Sequence, residues 1–209
     1  MLIYPDSHAA RERAAQAVAG GGVVAFRTDT FYGLGADPFN ADALELINTL
    51  KGRDGKPILV LAGDAGDALR LISEVTRAFE VLAAGHWPGA LTLVARARAE
   101  APGLLTAGTG TVGVRLPEDG EARGVVRACG GLLTATSANR AGQPPARTAA
   151  EAARYFEGAP GLVLDGGAAR TELPSTVIDV TGDRPRLIRE GVVTRAELEE
   201  TLRAEGVEF

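Results

Sequence analysis

The chain has 209 residues, 45% of them hydrophobic and 23% charged, enough for one substantial core and one domain of ordinary size. A net charge of −5 excludes a protein that coats nucleic acid with its whole surface and leaves any affinity for polyanions to a local groove. One cysteine, Cys129, excludes an internal disulfide, two histidines fall short of an ordinary zinc ligand set, and the opening MLIYPDSHAARER lacks the apolar run of a signal peptide or membrane span, so a cytoplasmic protein is expected.

Helices and strands alternate along the chain. Ser7 is placed to cap a helix with Ala10, Ala14, Ala17 and Val18 on one stripe, which Gly20-Gly21-Gly22 stops before the apolar run Val23 to Phe26. Asn40 caps a second helix carrying Ala43, Ile47 and Leu50, ended by Gly52 ahead of a short buried strand at 58–62. Helical spacing over 64–84, with a break near Ser73, precedes strands at 91–96, 111–116 and 132–137, the last two separated by a helix at 119–129. Thr148 with Glu151 and Thr194 with Glu197 fit capping boxes that start helices at 148–157 and 194–204, around strands near 162–165, 175–180 and 186–189. The pattern is that of a single α/β domain over 1–209, with one twisted mixed sheet and flanking helices; strand order is not legible.

Gly108 to Gly113 matches GxGxxG, but it runs into a strand and then Pro117, where a dinucleotide-binding fingerprint needs a helix. Neither a P-loop nor GxSxG occurs, and His86 reads as a loop histidine. The polar segment Arg27-Thr28-Asp29-Thr30-Phe31-Tyr32-Gly33-Leu34-Gly35 follows a buried strand, the position of ligand-contacting loops in α/β folds, and is equally compatible with a strand-ending turn in which Asp29 bonds its own backbone. In Lys51-Gly52-Arg53-Asp54-Gly55-Lys56-Pro57, Lys51 also suits a helix C-terminus, whereas Lys56 is held before a proline and a strand, which points to a phosphate-facing loop. Alternation puts Arg115 and Gly113 on the face opposite Val112 and Val114: either a solvated sheet face or a buried arginine that needs an anion. The segments from Thr134 to Gly142 and from Pro174 to Asp179 carry small hydroxyl and amide groups at strand ends, as ligand contacts or as caps. With Arg189 at another strand end, Lys51, Arg53, Lys56 and Arg115 make five loop or strand cations, which on an acidic chain suggest a pocket for a phosphorylated or carboxylated small molecule.

Seven ordered blocks, TDTFYGLGAD, KGRDGKP, HWPGALTLV, TVGVRLP, TSANRAGQP, PSTVID and LIREG, closely resemble the YrdC-like family of L-threonylcarbamoyladenylate synthases over roughly residues 10 to 195. The resemblance implies a YrdC-like fold with a large basic cavity that takes ATP, L-threonine and bicarbonate. It implies a nucleotidyltransferase that releases pyrophosphate and forms threonylcarbamoyl-AMP for the modification of adenosine 37 in tRNA. It places L-threonine against Thr30, Arg115, Ala135 and Ser175, and ATP against Lys51, Arg53, Lys56, Thr111, Ser137, Asn139 and Arg189. Lys51 and Arg53 are the expected catalytic pair; Mg²⁺ is expected only as the companion of ATP, with no metal ligands from the chain. tRNA, or the transferase that takes up the product, is an expected partner.

The chain departs from the family pattern at four places. The loop between Arg53 and Lys56 is one residue short, Leu61 stands where many members have a histidine near the threonine, Arg27 replaces a common proline and adds a charge at the cavity mouth, and Pro145 replaces a serine near ATP, with Thr148 as a candidate substitute. The chain also ends at Phe209, which matches the short, single-domain form of the family. Two alternative functions stay open on these grounds: a double-stranded RNA or tRNA-binding module of the same fold, and a paralogue that uses a different carbamoyl or acyl substrate.

Overall fold

The computed structural model describes residues 1–53 and 55–209; Asp54, inside the cationic loop, lies outside the described residues. β1 (Leu2–Pro5) opens the chain, and the Ser7 hydroxyl accepts from the Ala10 amide to cap α1 (His8–Ala19), whose Ala10, Ala14 and Val18 stripe is buried. β2 (Val23–Arg27) turns through residues 28–31 into the antiparallel β3 (Tyr32–Gly35), so the polar segment after the first buried run is half turn and half strand. α2 (Ala41–Lys51) is capped by Asn40 and ended by Gly52 at φ +61°, a left-handed conformation that a β-carbon disfavours. Then come β4 (Val60–Ala62), α3 (Ala65–Leu69) and α4 (Arg77–His86), the last two capped by Asp64 and Thr76 on either side of the expected break. His86 therefore ends a helix instead of lying in a loop, and its Nε2 meets Thr201 Oγ1 at 2.9 Å.

β5 (Leu91–Arg96), α5 (Gly103–Thr106) and β6 (Thr111–Arg115) follow, then α6 (Gly120–Ala128), capped by the Asp119 carboxylate. The run 132–137 is two strands, β7 (Leu132–Thr134) and β8 (Thr136–Ser137). The chain closes with α7 (Ala149–Tyr155), β9 (Gly161–Asp165), β10 (Thr176–Asp179), β11 (Arg186–Arg189) and α8 (Arg195–Ala204). Thr194 and Glu197 form the full capping box; Thr148 caps α7, while Glu151 reaches back to the Arg147 amide instead.

The expected mixed α/β class with flanking helices holds, with the strands shared between two sheets. One has the order β1-β9-β2-β3-β8 and the other β11-β10-β5-β6-β4-β7. The split falls at Ala135: β7 pairs with β4 in the second sheet, the Ala135 amide donates to Leu59 O at 2.8 Å, and β8 pairs with β3 in the first. The sheets touch where β3 ends. A β-carbon on Gly35 would stand 2.8 Å from Leu133 Cγ and 2.9 Å from Thr134 O, so only glycine permits that approach.

Leu91, Leu93, Val112, Val114 and Ile178 face one way from the six-stranded sheet, into a core shared with Leu82 of α4 and Leu198 and Leu202 of α8. Val24, Phe26, Leu162 and Leu164 of the five-stranded sheet pack under α1 and α6, and each fully buried Leu or Phe contributes about 1.5–3 kcal/mol. The other face of the six-stranded sheet is left to the site. No helix among the described residues is long and apolar enough to cross a membrane.

Candidate active site

A cavity of about 710 Å³ lies against that free face and against the β3–β8 margin of the five-stranded sheet, a volume within the ~300–1,000 Å³ of small-molecule sites. Its floor follows from the two-residue period of strands: Thr92 and Val94 on β5, Thr111, Gly113 and Arg115 on β6, and Val177 and Asp179 on β10 all face it. A second groove, between α3, α4 and α8, has Leu69, Val75, Phe79, Val81 and Trp87 in its lining and, among the described residues, converges no buried polar groups.

Arg115 decides between the two readings of its strand: it is 2% exposed and its Nη1 donates to Asp29 Oδ1 at 2.6 Å. Asp29 is thus the anion that this arginine needs, and its second oxygen accepts from the Glu118 amide at 3.3 Å. The turn around Asp29 is closed instead by Thr28, whose Oγ1 accepts from the Thr30 amide at 3.2 Å and donates to Phe31 O at 2.8 Å. Arg115 Nε is buried with no partner among the described residues. Arg189, from β11, donates through Nη2 to Ser175 O at 2.8 Å; burial, and then the charge of Arg115, push its pKa down. Arg53 donates to Thr136 Oγ1 at 3.1 Å and to Asn48 Oδ1 at 3.3 Å, burial lowers its pKa, and its buried Nη2 has no partner among the described residues. Arginines that burial and mutual repulsion disfavour, together with orphaned donors, describe a wall that gains from an incoming anion.

Hydroxyls line the rest: Thr28 and Thr30 meet at 3.1 Å, Thr92 and Ser175 at 3.0 Å, Thr109 and Thr111 at 2.9 Å. Of the residues singled out from sequence, Thr30, Arg53, Thr111, Arg115, Ala135, Ser137, Ser175 and Arg189 line this one cavity. Lys51, Lys56 and Asn139 do not. Lys56 is exposed. Lys51 is 5% exposed, and its ammonium donates to Ser137 O, to Asn139 O at 2.8 Å and to Asn139 Oδ1 at 3.3 Å, so it ties the end of α2 to the loop behind the cavity wall. Burial, with the Arg53 charge beside it, lowers its pKa to about 7. Asn139 in turn accepts from Ser137 Oγ at 2.6 Å, so Lys51 and Asn139 together hold a hydroxyl that does reach the cavity.

The Arg27 charge is not at the cavity mouth: it is committed to Asp119 and Glu121, each at 2.9 Å, because α6 presents both carboxylates to it. Leu61 is fully buried among Phe26, Val125 and Leu133 and faces apolar neighbours rather than the cavity. Pro145 lines the cavity, and Thr148 is occupied in capping α7. Thr28, Asp29 and Thr136 lie inside segments singled out from sequence without an individual role, and Thr92 and Thr109 had no site assignment. The alternation argument applied to Arg115 finds Thr92 too, since it is the polar residue between Leu91 and Leu93. Among the described residues, no group of three or more His, Cys, Asp or Glu side chains stands close enough to hold a metal ion.

An α/β frame whose free sheet face closes a cavity of arginines and hydroxyls defines a receptor for small anionic molecules. The family model Sua5_yciO_yrdC, described as "Telomere recombination", matches residues 16–191, and the chain belongs to that family. It is 40% identical over 161 residues to the threonylcarbamoyl-AMP synthase of Thiobacillus denitrificans, covering 77% of this chain and 85% of that one. It is 35% identical over 179 residues to the threonylcarbamoyl-AMP synthase of Bacillus subtilis, covering 85% of this chain but only 52% of the relative, so it spans about half the length of that protein. The crystal structure of P. abyssi Sua5 complexed with L-threonine superposes with a TM-score of 0.90 at 33% identity, over 96% of this chain and 59% of that one.

Proposed function

We propose that this chain is a threonylcarbamoyl-AMP synthase, a nucleotidyltransferase that joins L-threonine, bicarbonate and ATP and releases pyrophosphate, in the cytoplasm. The observation that carries the reading is the convergence of Arg115, Arg189 and Arg53 with paired threonine and serine hydroxyls on one cavity, in a chain of this family. The substrates to be brought together are a carboxylate, a small carbonate and a triphosphate, and arginines and hydroxyls are the groups that bind them.

In this reading the threonine amine attacks the carbon of bicarbonate, or of carbon dioxide derived from it, to give a carbamate and, from bicarbonate, water. A carbamate oxygen then attacks the α-phosphorus of ATP, the bond to the β-phosphate oxygen breaks, and pyrophosphate leaves. Since the nucleophile belongs to the substrate, the protein needs no activated serine, cysteine or histidine. Its share is positioning and charge neutralisation. Arg115 takes the threonine carboxylate, with Thr30, Ser175 and the Ala135 backbone around it; Arg53, Thr111, Ser137 and Arg189 take ATP. Lys51 and Asn139 act from behind the wall by holding Ser137, and Lys56 serves the phosphates from the exposed end of its loop. Mg²⁺ enters as the complex with ATP, consistent with a wall that offers cations and hydroxyls. The product is a mixed anhydride suited to acylate an amine, and the threonylcarbamoyl transfer to adenosine 37 of tRNA, through tRNA itself or a partner transferase, is its expected use.

The test is pyrophosphate release from Mg·ATP and bicarbonate with and without L-threonine. Release that requires threonine supports the reading, and release indifferent to threonine refutes it.

A further inference from the structure

Ser175 is assigned to L-threonine, and what aims its hydroxyl lies on the neighbouring strand. β5 and β6 are antiparallel with Leu93 opposite Val114 and Val94 opposite Gly113; one step further along that register, Thr92 faces Arg115 across the cavity floor. Thr92 is 2% exposed. Its rotamer is set by the sheet. A β-carbon on Gly113 would come within 3.3 Å of Thr92 Cγ2, so the methyl fills the space above that glycine, and Oγ1 is left pointing at Ser175 Oγ, 3.0 Å away.

Either hydroxyl can donate in this hydrogen bond, and a carboxylate held by Arg115 would set its direction by taking the Ser175 proton. A hydroxyl has one proton to donate and two lone pairs. Among the described residues, Thr92 Oγ1 has no hydrogen-bond partner other than Ser175 Oγ. Ser175 Oγ also receives Arg189 Nη2 at 3.4 Å, and a guanidinium only donates. With Thr92 and Arg189 then both donating, the lone pairs of Ser175 are filled and its single proton is left for the cavity, on the side of Arg115.

We propose that Thr92 is a positioning residue for L-threonine: it turns the Ser175 hydroxyl so that its proton meets the amino acid carboxylate held by Arg115. The inference rests on the assignment of Arg115 to that carboxylate. Thr92 acts through Ser175, so its effect vanishes when Ser175 has no hydroxyl.

The experiment is calorimetric titration of the full chain with L-threonine and, separately, with a non-hydrolysable ATP analogue. Thr92→Val removes the hydroxyl and keeps the shape; it is expected to weaken L-threonine binding about tenfold, the scale of one misdirected hydrogen bond to a charged group. The ATP analogue is expected to bind within about twofold of the parent, since Arg189, its ligand beside Ser175, is held mainly by the Ser175 carbonyl at 2.8 Å, which Thr92→Val leaves in place. Thr92→Ser and Thr92→Ala both lack the methyl and differ only in the hydroxyl. They keep the comparison open if the valine variant folds poorly: serine should bind L-threonine more tightly than alanine, and alanine like the weakened variant. In a Ser175→Ala background, Thr92→Val should change L-threonine binding by less than about twofold. Equal weakening of both ligands, failure of serine to rescue, or an undiminished Thr92→Val effect without Ser175 overturns the proposal. If the parent binds L-threonine and Thr92→Val binds it equally well, this inference alone fails. A parent that does not bind L-threonine sinks the functional reading and takes the inference with it.

Discussion

Replacing Asp29 by asparagine tests the electrostatic centre of the site. The Asp29 carboxylate is 2.6 Å from Arg115 Nη1, and the two side chains are 10% and 2% exposed, so water does little to screen the pair. Asparagine retains an oxygen that can accept from Nη1 but supplies no charge, and Arg115 already has one buried donor, Nε, without a partner among the described residues. An uncompensated buried charge costs about 3–5 kcal/mol. For a chain of this size each kcal/mol moves Tm by about 2–4 °C, so Asp29→Asn should melt roughly 6–20 °C below the parent in differential scanning calorimetry. Removing both charges, as Asp29→Asn with Arg115→Met, should recover part of that loss, because the penalty comes from the unpaired guanidinium and not from the absence of a bond. A single variant that melts within about 2 °C of the parent, or a double variant less stable than the single one, would refute the claim that Asp29 compensates a buried arginine.

Three further outcomes follow from the same geometry. Arg115→Ala should lower kcat/KM for L-threonine in pyrophosphate release by at least about 100-fold, from two charge-assisted hydrogen bonds of ~1.5–3 kcal/mol each, with a much smaller effect on the KM for ATP. Stability should rise from pH 7 to about 9. The native protein releases the Lys51 proton near 7 while the unfolded chain keeps it to 10.5, so the unfolded state binds more protons across that interval. Above 9 the buried Cys129 thiol, pushed up to about 12, works in the opposite direction, and Lys51→Met should flatten the rise in urea melts recorded across the interval. Arg27→Gln should leave the kinetics near those of the parent while lowering stability by about 1–3 kcal/mol, since the nearly buried Asp119 loses its 2.9 Å cation and keeps Arg170 at 4.0 Å and the α6 amides it caps; a raised KM for either substrate would put the Arg27 charge back at the cavity.

Local chemistry is what made most of the fold legible. Ser7, Asn40, Thr148 and Thr194 cap their helices with their own side chains, and the apolar period of β5, β6 and β9 needs nothing from the rest of the chain. Short elements were the ones missed. β1 is four residues with exposed Leu2 and Ile3, so its period carries no burial signal, and β3 was hidden by the glycines that let it approach β7. Arg115 was visible as a residue on the wrong face of a strand, and the same parity holds for Thr92.

What no local rule reaches is the meeting of segments distant in the chain. That Asp29 pairs with Arg115, 86 positions away, depends on how the two sheets are set against each other. That Lys51 turns to the carbonyls of Ser137 and Asn139, and Arg27 to α6, depends on the chain crossing between sheets at Ala135. The amino-acid sequence determined which side chains carry charge and hydroxyls and which face of each strand they take, because capping and alternation act within a few residues. The tertiary structure alone decided which of those charges face the cavity and which are neutralised by a partner, because a buried ion has to find its counterion in space, wherever that counterion lies in the chain.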